Sequence, residues 1–159
     1  MIGLGRMLIQ KLLTELLIAG ELYGWGRNIY GENGTGAQQS SPVQVGSFTD
    51  WQAVACGFYH SLGIRNGLLY GWGYNAYGQN GTGAQQSSPV QVGSFTDWQA
   101  VSGGSDHSLG IRNGLLYGWG RNNYGQNGTG ADRTSPVQVG SFTDWQAVAC
   151  GSYHSLGIK

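Results

Sequence analysis

Charge is what this sequence has least of. Only 10% of its 159 residues are charged, and Lys plus Arg balance Asp plus Glu at eight each. Binding to DNA, RNA or an anionic membrane is carried by clustered Lys and Arg. Here the cations are scattered: Arg6, Lys11, Arg27, Arg65, Arg112, Arg121, Arg133 and Lys159. Nucleic-acid and membrane-surface partners are therefore not expected. Cysteine is nearly absent, with Cys56 and Cys150 alone. No C-x-x-C pair exists, so structural zinc has no support. Long apolar runs are missing too. The most apolar stretch, residues 1–20, is interrupted by Arg6, Gln10, Lys11, Thr14 and Glu15. Its unbroken part is too short to span a bilayer. The polar residues also sit where a secretory signal needs an apolar core. They fall roughly on one helical stripe and leave Met7, Leu8, Leu12, Leu13, Leu16 and Leu17 elsewhere, so a short amphipathic docking helix is expected over 1–20. A second reading stays open. "LLIAGELYGWG" aligns with "GIRNGLLYGWG", which makes residues 16–18 a strand leading into a turn at Gly20.

Glycine is what the chain has in excess, 30 residues, but these recur at fixed places rather than in a linker-like tract. "LYGWGRNIYGENGTG" opens at Leu22, "LYGWGYNAYGQNGTG" at Leu69 and "LYGWGRNNYGQNGTG" at Leu116, a step of 47. Pro42, Pro89 and Pro136 keep the same step, as do Trp51, Trp98 and Trp145, and His60, His107 and His154. A period between about 20 and 50 residues marks a solenoid, a propeller or an array. The units run 22–68, 69–115 and 116–159, so residues 1–20 precede a three-repeat region over 21–159. The two cysteines occupy equivalent positions two repeats apart. Such positions are not normally within disulfide reach, so both are expected as free thiols. That fits a reducing, cytoplasmic setting.

Within the middle unit, "PVQV", "WQAVSG", "HSLGI" and "LLYGWG" alternate side chains with period two and are bounded by turn residues. Arg112-Asn113-Gly114 carries the Asn-Gly pair of a tight hairpin. No helical period appears. Four antiparallel strands per unit, with Trp and Gly at fixed places, make one propeller blade. The expected fold is all-β: three four-stranded blades of a β-propeller, in this order within each unit.

The run "NNYGQNGTGADRTSPVQVGSFTDWQAVACGSYHSLGI" resembles the repeat of the regulator of chromosome condensation family. The resemblance covers 22–159. It implies a β-propeller; family members usually carry seven repeats and serve many functions. The family's founding member is a guanine-nucleotide exchange factor for a small nuclear GTPase that works through a wedge and binds chromatin partly through basic tails. This chain shows neither a wedge-like insertion nor a basic tail, so exchange activity is not carried over. It also has Asn33, Asn80 and Asn127 where many members have Leu.

The sequence begins the pattern with a spare outer strand at 22–26 and ends after a third strand at 154–159. Three blades do not close on themselves. Two chains sharing spare strands would make a six-bladed ring; an N-terminal helix could instead cover an open arc; or the chain is a fragment. The spare strands favour a homodimer, and an unknown protein partner is the alternative.

The three histidines look like a metal trio on paper. Three ligands would have to converge within about 2 Å of one ion, so hydrogen bonding to a neighbouring loop is expected, with no metal and no cofactor. Asp106-His107-Ser108 fails as a catalytic triad because adjacent strand residues face opposite ways. "GTGAQQS" lacks the Lys-Ser/Thr ending of a phosphate loop. Asn33-Gly34-Thr35, Asn80-Gly81-Thr82 and Asn127-Gly128-Thr129 are formal glycosylation sequons. The differences between copies say more. Units 22–68 and 69–115 differ at seven positions, and most lie in two connections. One, read as the crossing from the outer strand to the next blade, carries Arg27, Ile29 and Glu32, against Tyr74, Ala76 and Gln79, and Arg121, Asn123 and Gln126. The other joins the second and third strands and carries Phe58 and Tyr59, against Ser105 and Asp106, and Ser152 and Tyr153. In an up-and-down blade these two connections emerge on one side, while "GSFTD" and "RNG" emerge opposite. One rim has diverged, either as a binding surface or by neutral drift. The resulting expectation is a non-enzymatic binding or scaffold module acting through that rim. A multivalent lectin-like module is the alternative, and exchange-factor activity comes third.

Overall fold

The computed structural model describes residues 19–159. Residues 1–18, where the helix or the strand at 16–18 is expected, lie outside them. Among the described residues the chain is all-β, with every strand antiparallel to its neighbour. Strands β3 (Trp51–Cys56), β4 (His60–Arg65), β5 (Leu68–Gly73) and β6 (Gln86–Gln91) form one four-stranded sheet. A second is formed by β7 (Trp98–Gly103), β8 (His107–Arg112), β9 (Leu115–Gly120) and β10 (Arg133–Gln138). The ends are two-stranded: β1 (Tyr23–Gly26) with β2 (Gln39–Gln44), and β11 (Ala147–Cys150) with β12 (Ser155–Ile158).

The strands are those the sequence pattern marks, but they group differently. The "PVQV" strand closes a blade rather than opening one: β6 pairs with β5, and β7 starts the next sheet. The long glycine-rich connection therefore stays inside a blade, and "GSFTD" crosses between blades. Nor is β1 a lone strand, since β2 pairs with it. The crossing is fixed by its last residue. Asp50 accepts from Arg65 and Asn66, and Asp97 from Arg112 and Asn113, which ties each crossing to the hairpin of the blade it enters. Those hairpins have both central residues in the left-handed region, with φ of 50° and 73° at Asn66 and Gly67 and 48° and 71° at Asn113 and Gly114. Only Gly and Asn adopt this conformation cheaply. Gly20 exchanges two backbone hydrogen bonds with Trp51, as Gly67 is bonded by Trp98 and Gly114 by Trp145, so the repeat alignment holds back to Gly20.

The glycine of "HSLGI" has a steric cause. Trp51 lies across the neighbouring strand, and a Cβ on Gly63 would come within 2.6 Å of its ring; Gly110 stands equally close to Trp98. Sheet faces pack on sheet faces. Leu62, Ile64, Leu69, Val92, Trp98, Tyr117 and Trp119 form the core between the two whole blades. Leu22, Val45, Trp51, Tyr70 and Trp72 form the core between the β1–β2 half-blade and the first whole blade. Each large buried side chain contributes about 2–3 kcal/mol by leaving water.

Candidate functional site

The β3–β4 and β5–β6 connections lie on one rim together with their copies, and the residues that differ between copies touch each other there. At the first boundary Arg27 pairs with Glu32 at 2.9 Å, donates to the Phe58 carbonyl at 3.3 Å and lies 4.3 Å from the Tyr59 ring centre. Tyr30 packs on Tyr59 and on Tyr74 with ring centres 5.0 and 4.7 Å apart, and Phe58 meets Tyr59 at 4.4 Å. The second boundary is polar instead. Asp106 takes the place of Tyr59, accepts from Gln79 at 3.3 Å and faces Arg121 at 3.5 Å, and Arg121 stacks over Tyr77 at 4.8 Å. At the third, Tyr124 meets Tyr153 at 5.8 Å. Ile29, Phe58 and Tyr153 are exposed, as is Asn123. Ser105 is half-buried beside them.

Two of the expected rim residues do not reach solvent. Gln79 and Gln126 are buried. Each side-chain oxygen accepts a backbone N–H of its own loop, from Tyr77 at 3.0 Å and Tyr124 at 2.9 Å; Glu32 accepts from Tyr30 in the same way. They shape the rim from beneath. Asn80 does the same. Its amide donates to the carbonyls of Gly73 and Ala84, both at 2.9 Å, and its oxygen accepts from Thr82. Asn80 and Asn127 are fully buried and Asn33 is buried, so in the folded chain none of the three sequons offers a free amide for a glycan. That burial is also why Asn suits this position: the loop needs two donors and an acceptor in one side chain.

His60 and His107 serve structure, while His154 is exposed at the end of the repeat region. His60 and His107 are fully buried, and Nε2 of each meets the serine of the next blade, Ser108 Oγ at 2.8 Å and Ser155 Oγ at 2.9 Å. Ser108 spends its hydrogen on the Gln79 carbonyl at 2.8 Å, so it accepts from His60, whose Nδ1 is left bare. The partner is a strand serine rather than a neighbouring loop. Burial pushes the His60 imidazole down to about 3, with His107 adding to the effect, and His107 down to about 4, with His154 adding. Both rings are neutral at physiological pH. Among the described residues no group of three His, Cys, Asp or Glu side chains converges on a metal position. Cys56 is exposed and Cys150 half-buried, both free, and burial pushes the Cys150 thiol up.

Comparison with known families matches the "Regulator of chromosome condensation (RCC1) repeat" at residues 19–64, 66–111 and 113–158. The chain belongs to the RCC1-repeat family. A second form of the RCC1 repeat matches 51–79 and 98–126. Among solved structures it resembles Prp20p from Saccharomyces cerevisiae, described with its binding properties to Gsp1p and histones, at 21% identity over 86% of this chain and 39% of that one, TM-score 0.76. Human WBSCR16 matches at 23% identity over 88% of this chain and 40% of that one, TM-score 0.74. Yeast RCC1 (Prp20) bound to Kap60 matches at 21% identity, over 87% of this chain and 37% of that one, TM-score 0.73. At these identities the likeness shows the RCC1 fold alone, and the chain spans about two fifths of the length of these proteins. A search of curated proteins finds no match.

Proposed function

We propose that this RCC1-repeat chain is a non-enzymatic binding or scaffold module that recognises a protein through its varied rim. One observation carries the reading: side chains that differ between copies meet one another, and a tyrosine common to all three copies, at the blade boundaries of a single rim, giving an aromatic-cationic cluster, an acidic-cationic cluster and a tyrosine pair on one surface. The opposite rim keeps the same Asp–Arg–Asn ties at both of its whole-blade crossings. Loops on a rigid scaffold are where binding residues concentrate, and repeated clusters add avidity. Prp20p and its complex with Kap60 show that proteins of this fold bind protein partners. Self-association belongs to the same proposal, as the chain's own means of covering its open ends. The two free thiols fit a cytoplasmic setting.

The test is a protein-array and glycan-array screen of the parent chain, followed by two variants. Phe58→Ala on the varied rim is expected to lose any hit, and Phe48→Ala on the opposite rim to keep it. Hits that survive Phe58→Ala and fall with Phe48→Ala would overturn the assignment. The lectin-like alternative draws on the ring cluster of exposed Phe58 with half-buried Tyr30 and Tyr59, and hits confined to glycans would favour it. Accelerated nucleotide release from a small GTPase would favour the exchange-factor reading, and none is expected.

A further inference from the structure

The two ends of the chain are complementary halves of one blade. β1 and β2 repeat β5 and β6, the outer pair; β11 and β12 repeat β7 and β8, the inner pair. Each end also carries a cavity shaped for the other half. At the C-terminal end a cavity of about 350 Å³ is lined by Leu109, Leu116, Gln126 and Trp145. These stand 47 residues after Leu62, Leu69, Gln79 and Trp98, the residues that surround Trp119. The Trp119 ring packs with Leu62 and Leu69 and lies 6.1 Å from Trp98, and its Nε1 donates to the Gln79 carbonyl at 2.9 Å. The C-terminal cavity is the same socket facing solvent. At the other end Trp25, the counterpart of Trp119, is 60% exposed where Trp119 is 0%.

The second cavity, about 400 Å³, is lined by Tyr23, Trp25, Val54, Ser61 and Leu62. The matching space beside Tyr70, Trp72, Val101 and Ser108 is filled by β3 and β4, with His60 bonded to Ser108. Leu156 and Ile158 on β12 are 67% and 63% exposed, while their counterparts Leu109 and Ile111 are 3% and 2%.

We propose that a second copy of this chain fills both cavities: β12 of each copy pairs antiparallel with β1 of the other, so that two rebuilt blades close two chains into a six-bladed ring. The inference rests on the self-association proposed above and adds its surface and register. The register follows β8 and β9, where Ser108 faces Trp119, Leu109 faces Gly118 and Ile111 faces Leu116. Ser155 then faces the partner's Trp25, Leu156 the partner's Gly24 and Ile158 the partner's Leu22. The partner's Trp25 enters the socket and donates to the Gln126 carbonyl. His154 donates to the partner's Ser61. Where the internal blades set Arg65 opposite Leu68 and Arg112 opposite Leu115, this junction sets Lys159 opposite the partner's Glu21, an opposite-charge pair neither whole blade has. Residues 154–158 carry in full the His-Ser-Leu-Gly-Ile signature of both internal blades, the strand that would pair with the partner's β1.

The test exploits the directionality of the junction. Leu156→Asp damages only the C-terminal end and Trp25→Asp only the N-terminal end. Both positions are exposed in the single chain, so circular dichroism of both is expected to match the parent. By light scattering the parent is expected at twice 16.9 kDa and each variant alone at 16.9 kDa, with the dimer weakened at least about a hundredfold because every junction contains one damaged half. An equimolar mixture of the two variants restores one intact junction and returns the dimer mass. A parent that is monomeric at all concentrations overturns self-association and this inference with it. A parent dimer whose variants remain dimeric, or whose variants fail to complement, leaves self-association standing and overturns this surface. A charge swap checks the register without touching apolar packing: Lys159→Glu and Glu21→Lys each weaken the dimer and together restore it. A double variant no tighter than either single one contradicts the register.

Discussion

Acid should unfold this protein through His60. The ring is fully buried, donates Nε2–H to Ser108 and has a bare Nδ1, so the fold holds it neutral down to about pH 3. In the unfolded chain the same imidazole titrates near its ordinary 6.5. Below that value the unfolded state binds a proton that the folded state refuses. Stability is therefore unaffected by His60 above pH 6.5 and falls as pH drops from about 6.5 towards 3. At pH 5 the loss from this one ring is about 2 kcal/mol relative to neutral pH. The assay is urea unfolding followed by tryptophan fluorescence at pH 7 and pH 5, at fixed protein concentration. The control is His60→Gln, whose amide still offers an N–H towards Ser108 but does not titrate. His107 acts with the same sign and is present in both proteins, so the difference isolates His60. The parent should lose about 2 kcal/mol more than His60→Gln between the two pH values. An equal loss in both would refute the reasoning.

Three further outcomes are expected. Gly57→Ala places a Cβ 2.4 Å from His60 Nδ1 and should cost about 1–3 kcal/mol in thermal unfolding, whereas Gly20→Ala meets nothing within 4 Å and should be near neutral. Asn80→Ala removes both donors that hold the Gly73 and Ala84 carbonyls and should lower stability by about 2–4 kcal/mol, read by the same method. Trp119→Ala empties the socket between the two whole blades and should cost about 3–5 kcal/mol in urea; a loss below about 1 kcal/mol would contradict the packing described for it.

Strand positions were legible in the sequence because period-two patterns and Asn-Gly turns act locally. The phase of the blades was not. "PVQV" is separated from "WQAV" by a short run and from "LYGWG" by a long one, so the short connection reads as the hairpin. The long loop instead folds on itself around Asn80, returning "PVQV" to β5, while Asp50 and Asp97 bind the short run to the following blade. The Asn80 bond to Ala84 spans only 4 residues, but the Asp50 and Asp97 ties join side chains 15 or more residues apart, beyond any local pattern. The rim was legible because alternation of up and down strands places both varied connections on one side whichever strand comes first. Gln79 and Gln126 misled for a different reason. They vary with Glu32 as surface residues do, yet each folds back to cap its own loop, and only the coordinates show the direction of the side chain. The coupling of each histidine to the glycine three residues upstream was also hidden: Gly57, Gly104 and Gly151 lie against the rings of His60, His107 and His154, a contact that repeats as a spacing but carries no chemical signature.

Complementary end halves that pair between copies are the centre of this account, and backbone hydrogen exchange on the unmodified chain tests them most directly. In a closed pair of chains the amides of Ser155 and Gly157 on β12, and of Tyr23 and Trp25 on β1, face the junction and lie inside a four-stranded blade. Their protection should approach that of their counterparts Ser108, Gly110, Tyr117 and Trp119 in β8 and β9, and should decline on dilution as the dimer dissociates. Rapid exchange along β1 and β12 at every concentration, beside well-protected β8 and β9, would contradict it.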